Sequence, residues 1–132
     1  MGQYPGRPFY NDSQTVLASG SRTAAPTIAD FLLESAQGVH VILDVTDVGE
    51  APAAPSIILT ISSVDANDVV STLLAGAAVT TVSTNVYRIF PLATAVANAV
   101  ARDLLGKKLR FAVAHDNTDP IVYSIGLNIA GT

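Results

Sequence analysis

The chain has 132 residues, 49% of them apolar, with a formal net charge of −4, no cysteine and no tryptophan. That length makes one domain whose core needs no disulfide staples; zero cysteines exclude disulfides, thiolate metal sites and a cysteine nucleophile, and fit assembly in a reducing cytoplasm. The mild acidity argues against nucleic-acid binding, which needs a basic face to displace counterions, and no apolar run is long enough to span a bilayer.

Residues 1–13 read as an extended arm. Its start, Met1-Gly2-Gln3-Tyr4-Pro5-Gly6-Arg7-Pro8, lacks the apolar centre of a signal peptide. Two prolines and two glycines deny it helix and sheet, while Tyr4, Phe9 and Tyr10 supply sticky points. Disordered tails are poor in aromatics, so the arm is expected to dock on a partner; a frayed terminus is the plain alternative.

Residues 14–132 are expected to form a single sandwich domain. Thr15-Val16-Leu17-Ala18-Ser19 reads as its first strand, residues 20–29 as a loop, and Asp30-Phe31-Leu32-Leu33 as a short second strand. In Gly38–Thr46, Val39, Val41, Leu43 and Val45 alternate with His40, Ile42, Asp44 and Thr46. In Ser56–Ser62, Ile57, Leu59 and Ile61 share one face. Period-two alternation marks half-buried strands, and the two arms read as one long hairpin at the centre of an antiparallel sheet. The loop Gly49–Pro55 between them is too long for a two-residue turn, and its two prolines stop both strands.

Asp65-Ala66-Asn67-Asp68 is a turn of residues whose side chains bond their own backbone. Residues 71–81 form one strand, bulged at Gly76. Thr72-Leu73-Leu74-Ala75 and Thr80 echo Thr15-Val16-Leu17-Ala18 and Thr23 at a constant offset, as if each sheet contributed one such strand. Asn85–Phe90 is a further strand, stopped by Pro91. Leu92, Val96, Val100 and Leu104 then recur every four residues, which predicts one short helix over 93–105 with Gly106 as its C-cap. Strands over 109–114 and 121–129 follow, joined by the proline-closed turn Asp116–Pro120. The fold class is therefore all-β: an antiparallel β-sandwich or jelly roll with one short helix and an extended amino-terminal arm.

The motifs that carry chemistry are missing. There is no P-loop and no Gly-x-Ser-x-Gly elbow, and Asp65-x-Asn67-Asp68 lacks the glycine and glutamate of a calcium loop. His40 and Asp44 share a strand face but stand about 13 Å apart, too far to meet at one ion. No catalytic, metal or cofactor site is expected. Arg102, Lys107, Lys108 and Arg110 hold four of the seven basic residues within nine positions. They complement the end of the predicted helix, or form a basic patch for an acidic protein surface.

The order of segments Thr15–Ser19, Gly38–Thr46, Pro55–Ile61, Thr72–Ala75, Ala97–Leu105 and Val122–Gly126 resembles a group of small proteins that tailed bacteriophages encode among their virion structural genes. The resemblance covers residues 15–127 and is to a pattern of strands; the arm and the loop Gly49–Pro55 lie outside it. It implies a phage particle component of the capsid decoration, or cement, kind, assembled in the host cytoplasm. The expected role is to sit on the outside of the head shell and clamp neighbouring major capsid subunits, with no enzymatic activity. A homotrimer at the local three-fold points of a shell is the expected assembly. The partner-binding residues would be Tyr4, Phe9, Tyr10, Arg102, Lys107, Lys108 and Arg110. A tail-tube or tail-tip β-domain is the alternative. A carbohydrate-binding jelly roll is a third reading, against which the absence of tryptophan counts.

Overall fold

A computed structural model describes residues 10–23, 27–33, 36–49 and 55–131. Nine strands run in chain order: β1 (Tyr10–Arg22), β2 (Thr27–Leu32), β3 (Gly38–Asp47), β4 (Ile57–Val64), β5 (Val70–Ala75), β6 (Ser83–Ile89), β7 (Val100–Ala101), β8 (Lys108–His115) and β9 (Ile121–Gly131). They make two sheets, ordered β1-β9-β3-β6-β7 and β2-β8-β4-β5. Every pairing is antiparallel except the two-residue contact of β7 with β6. Four pairs nest inside one another along the chain: β1 with β9, β2 with β8, β3 with β6, and β4 with β5.

The alternation read from the sequence sets the inner faces. Val39, Val41, Leu43 and Val45 of β3 are buried beside Ile121, Tyr123, Ile125, Leu127 and Ile129 of β9. Across the sandwich they meet Ile57, Leu59 and Ile61 of β4 and Leu109, Phe111 and Val113 of β8. Two thin aliphatic sheets packed face to face suit a chain without tryptophan.

The central hairpin is corrected. β3 and β4 do not pair: β3 lies between β9 and β6, and β4 lies between β8 and β5 in the other sheet. Both arms bury the faces expected of them, but against each other's sheet. The connection between them therefore crosses from one layer to the other, which a two-residue turn could not do.

The helix over 93–105 is corrected as well. No helix occurs among the described residues; 91–99 is a series of turns leading into β7, and 102–107 is irregular. Three of the four residues of the stripe face no core among the described residues, since Leu92 is 75% exposed, Val96 51% and Leu104 74%, and the fourth, Val100, is half-buried in β7. Helices in proteins depend on packing an apolar face, and propensity alone does not hold so short a segment. Instead Val100 N–H donates to Val96 O (2.9 Å) and Arg88 N–H to Ala99 O (2.9 Å), with Asn98 in the left-handed region (φ 62°) between them. The backbone groups are thus spent on a tight turn and a sheet edge.

Other expectations meet the structure more closely. The arm is the exception: Tyr10–Ser13, expected to lie in an arm denied helix and sheet, open β1, and the rest of the arm lies outside the described residues. The turn after β4 has the expected chemistry: the Asp65 carboxylate accepts from Asn67 N–H (2.8 Å) and Val69 N–H (2.9 Å). Past β5, Gly76 N–H still reaches Leu59 O (2.8 Å), and the chain then slips by one residue before Val79 pairs with Ile57. A Cβ at Gly76 would stand 2.9 Å from the Tyr87 ring and 3.1 Å from Leu59 O, so glycine permits that close crossing. The two echoing segments fall in β1 and β5, edge strands of opposite sheets.

Candidate functional site

The outer face of the five-stranded sheet carries a cross-strand row. Ser13, Asn128, His40, Arg88 and Val100 lie opposite one another on β1, β9, β3, β6 and β7. Because paired residues share a face, the polar members all look outward. In the neighbouring row the Phe90 ring lies over Gly38, where a Cβ would meet its Cδ1 at 2.7 Å. Together these residues line a concavity of about 700 Å³, with Ala93 and Ala130 completing its apolar wall. Arg88 Nε donates to His40 Nε2 (3.2 Å), so that imidazole nitrogen is an acceptor. Asp44, two residues along the same strand face from Ile42, accepts instead from the Thr84 hydroxyl (3.0 Å), and His40 and Asp44 do not converge.

A second, polar cleft of about 440 Å³ lies by the β5–β6 connection, lined by Thr80, Thr81, Ser83, Thr84, Asn85 and Asn98. Asn98 Nδ2 donates to Ala75 O (2.9 Å), which ties the turn before β7 to the end of β5.

At the other end of the sandwich, His115 of β8 and Tyr123 of β9 join the two sheets through a 2.9 Å contact between Nε2 and the phenol oxygen. The Arg22 guanidinium lies 4.9 Å over the Tyr123 ring and donates to Tyr123 O (2.6 Å), Gly20 O (3.0 Å) and Ala18 O (2.6 Å). It thereby stitches the irregular end of β1 to β9. Burial pushes the His115 pKa down, and Arg22 pushes it further the same way, while Asp116 opposes both. Burial also raises the Tyr123 phenol. His115 Nδ1 is buried without a partner among the described residues. The fold thereby makes His115 a bridge between the two layers.

The expected partner residues are scattered. Tyr4 and Phe9 lie outside the described residues, and Tyr10 starts β1 opposite Gly131. Lys108 and Arg110 do come together, but on Asp30 of β2: Arg110 binds its carboxylate through Nε (2.8 Å) and a terminal nitrogen (3.0 Å), and Lys108 stands 3.5 Å away. The Arg110 guanidinium holds the Asp30 carboxyl below its usual range. Arg102 is exposed and its Nε donates to Pro91 O (3.2 Å); Lys107 is exposed and its carbonyl accepts from Leu33 N–H (2.6 Å). Half of the basic cluster is thus matched to a carboxylate of its own chain.

Among the described residues no three of His, Cys, Asp and Glu gather where they could hold a metal ion. No helix there is long and apolar enough to cross a membrane. What the surface does offer is aliphatic: besides Leu92, Val96 and Leu104, Ile28 is 59% exposed and Leu32 66%. Single exposed aliphatics are ordinary, whereas several along one connection or one strand mark a contact surface.

No protein-family model matches the chain, and no curated protein matches it. Among solved structures it is similar to a chain in the structure of the Gt strain of infectious bursal disease virus, at 10% identity and a TM-score of 0.33. The match covers 93% of this chain and 31% of that one. A likeness at that level carries no argument about function.

Proposed function

We propose that this chain is a non-enzymatic structural protein of a virus particle: a phage decoration protein that sits on the outside of the head shell and clamps neighbouring major capsid subunits. The observation that carries the reading is the exposed aliphatic connection between β6 and β8, with Leu92 and Leu104 each about three-quarters bare. Among the described residues the side chains of Leu92 and Leu104 meet no core, and covering them on a shell would remove apolar area from water. The four nested antiparallel pairs support the reading, since they follow the winding of a jelly roll, an architecture found in viral capsid domains. Lectins and cupins share that architecture, so the winding by itself names no function. The resemblance of segments 15–127 to phage virion proteins directs the choice to a particle, and the head is preferred to the tail because a compact sandwich with a bare rim suits a flat lattice of subunits. The aromatic arm would add a second contact on the same shell.

The test is the occupancy of purified, undecorated shells by the full-length protein and by Leu92→Lys and Leu104→Lys variants. Wild type is expected to saturate the shells, and each variant to bind several-fold more weakly with an unchanged melting temperature. Labelling of tail structures in particle images would replace this reading with the tail component. Binding to neither structure, with retention on glycans, would support a lectin.

A further inference from the structure

The two sheets have four edges, and three of them are blunted. β1 breaks register between Thr15 and Leu17 and again between Leu17 and Gly20. β5 carries Leu73 as an extra residue opposite the step from Ile61 to Ser62. β7 is two residues long. β2 alone keeps an unbroken register over all six of its residues, from Thr27 opposite Val113 to Leu32 opposite Lys108. It has no proline and no bulge, and Ile28 and Leu32 stand exposed on its outer side. Proteins guard such edges because unpaired N–H and C=O groups template another strand.

The direction of those groups follows from one bond. Leu33 N–H donates to the carbonyl of Lys107, the residue directly opposite it in the continued register. Narrow pairs alternate along an antiparallel ladder, so Thr27, Ala29 and Phe31 also turn toward β8. Ile28, Asp30 and Leu32 therefore turn their N–H and C=O groups away from β8, to a side where no strand among the described residues pairs with them.

We infer that β2 is a self-association edge, pairing antiparallel with β2 of a second copy about a two-fold axis at Asp30. In that register Ile28 faces the second copy's Leu32, Asp30 faces Asp30, and Leu32 faces Ile28, so all the free groups of these three residues are satisfied in narrow pairs. The outer face gains two Ile–Leu pairs, and Ala29 meets the second copy's Phe31 on the inner side. The central carboxylates do not repel freely, because each is already held by Arg110 (2.8 and 3.0 Å) and Lys108 (3.5 Å). Two-fold pairing uses up the edge on both copies, so the assembly closes at a dimer. It differs from the three-fold expected from the sequence and does not depend on the shell reading. Six residues bury less than a standard interface, so the dimer forms only as concentration rises.

Sedimentation equilibrium tests this on the full chain. Wild type is expected to pass from monomer to dimer with concentration. Leu32→Pro removes an N–H on the free side and leaves the β8 ladder intact, and Ile28→Lys places a charge on the edge; each should raise the dissociation constant by roughly tenfold or more with an unchanged melting temperature. The cysteine-free background then reads the register. Opposed Cα atoms in a narrow pair lie about 5.5 Å apart, within disulfide range. An equimolar mixture of Ile28→Cys and Leu32→Cys proteins should oxidise to the mixed dimer faster than either alone. A concentration-independent monomer, a trimer, dimers that survive Leu32→Pro, or Ile28→Cys that links to itself as fast as the mixture would each overturn the inference.

Discussion

His115 shows how a single residue acquires its role from its neighbours. In sequence it is one of two histidines with no metal-ligand spacing around it. In the fold it touches Tyr123 across the two sheets, where Arg22 lies over the Tyr123 ring, and it neighbours Asp116. Burial and the guanidinium both disfavour the imidazolium, so its folded pKa lies below the ordinary 6.5. The unfolded chain then binds more protons near neutrality. The associated stability is complete above about pH 6.5 and is lost as the pH falls toward the folded pKa. Urea midpoints measured between pH 7.5 and 5 should decline, and His115→Gln should flatten that decline. An unchanged slope in the variant would mean that other groups set the pH response. The Asp30 carboxylate acts in a separate, lower window, because its folded pKa lies beneath 3.8.

At the scale of elements, the strands were legible and their edges were not. Alternation identified which residues of β3 and β4 face inward, because burial on one side forces a period of two. The four-residue recurrence of Leu92, Val96, Val100 and Leu104 misled, because a stripe makes a helix only where a core receives it. Glycines show the same dependence on surroundings. Gly76 and Gly126 look alike in sequence, yet a Cβ at Gly76 would press on Tyr87 and the Leu59 carbonyl, while one at Gly126 would meet nothing within 4 Å. Gly76→Ala should therefore cost about 1–3 kcal/mol through overpacking. Gly126→Ala should be neutral or stabilise by about 0.5–1 kcal/mol, since alanine restricts the strand less unfavourably than glycine. Chemical denaturation of both variants checks the contrast.

For the whole molecule, the nesting of pairs dictates how the chain must fold. Tyr10 pairs with Gly131 and Thr27 with Val113, so the outer strands wait for partners nearly a chain length away. Among the described residues only β4 with β5 is a local hairpin. Loop-closure entropy must be met before such contacts form, and refolding is expected on a timescale of roughly milliseconds to seconds or slower. Stopped-flow fluorescence from the buried Tyr87 and Tyr123 would report it, and a microsecond phase carrying the full amplitude would contradict it. Composition and alternation alone determined the all-β class, the inward faces of β3 and β4, the Asp65 turn and the lack of catalytic motifs, because each rests on local backbone geometry or on residue type. Which strands pair, that β3 and β4 face each other across the core, that Leu92, Val96 and Leu104 stand exposed between β6 and β8, that Asp30 pairs with Lys108 and Arg110, and that β2 is the edge strand of unbroken register were settled only by the tertiary structure. Those properties depend on which residues distant in the chain become neighbours, and a period of two is the same whichever strand lies alongside.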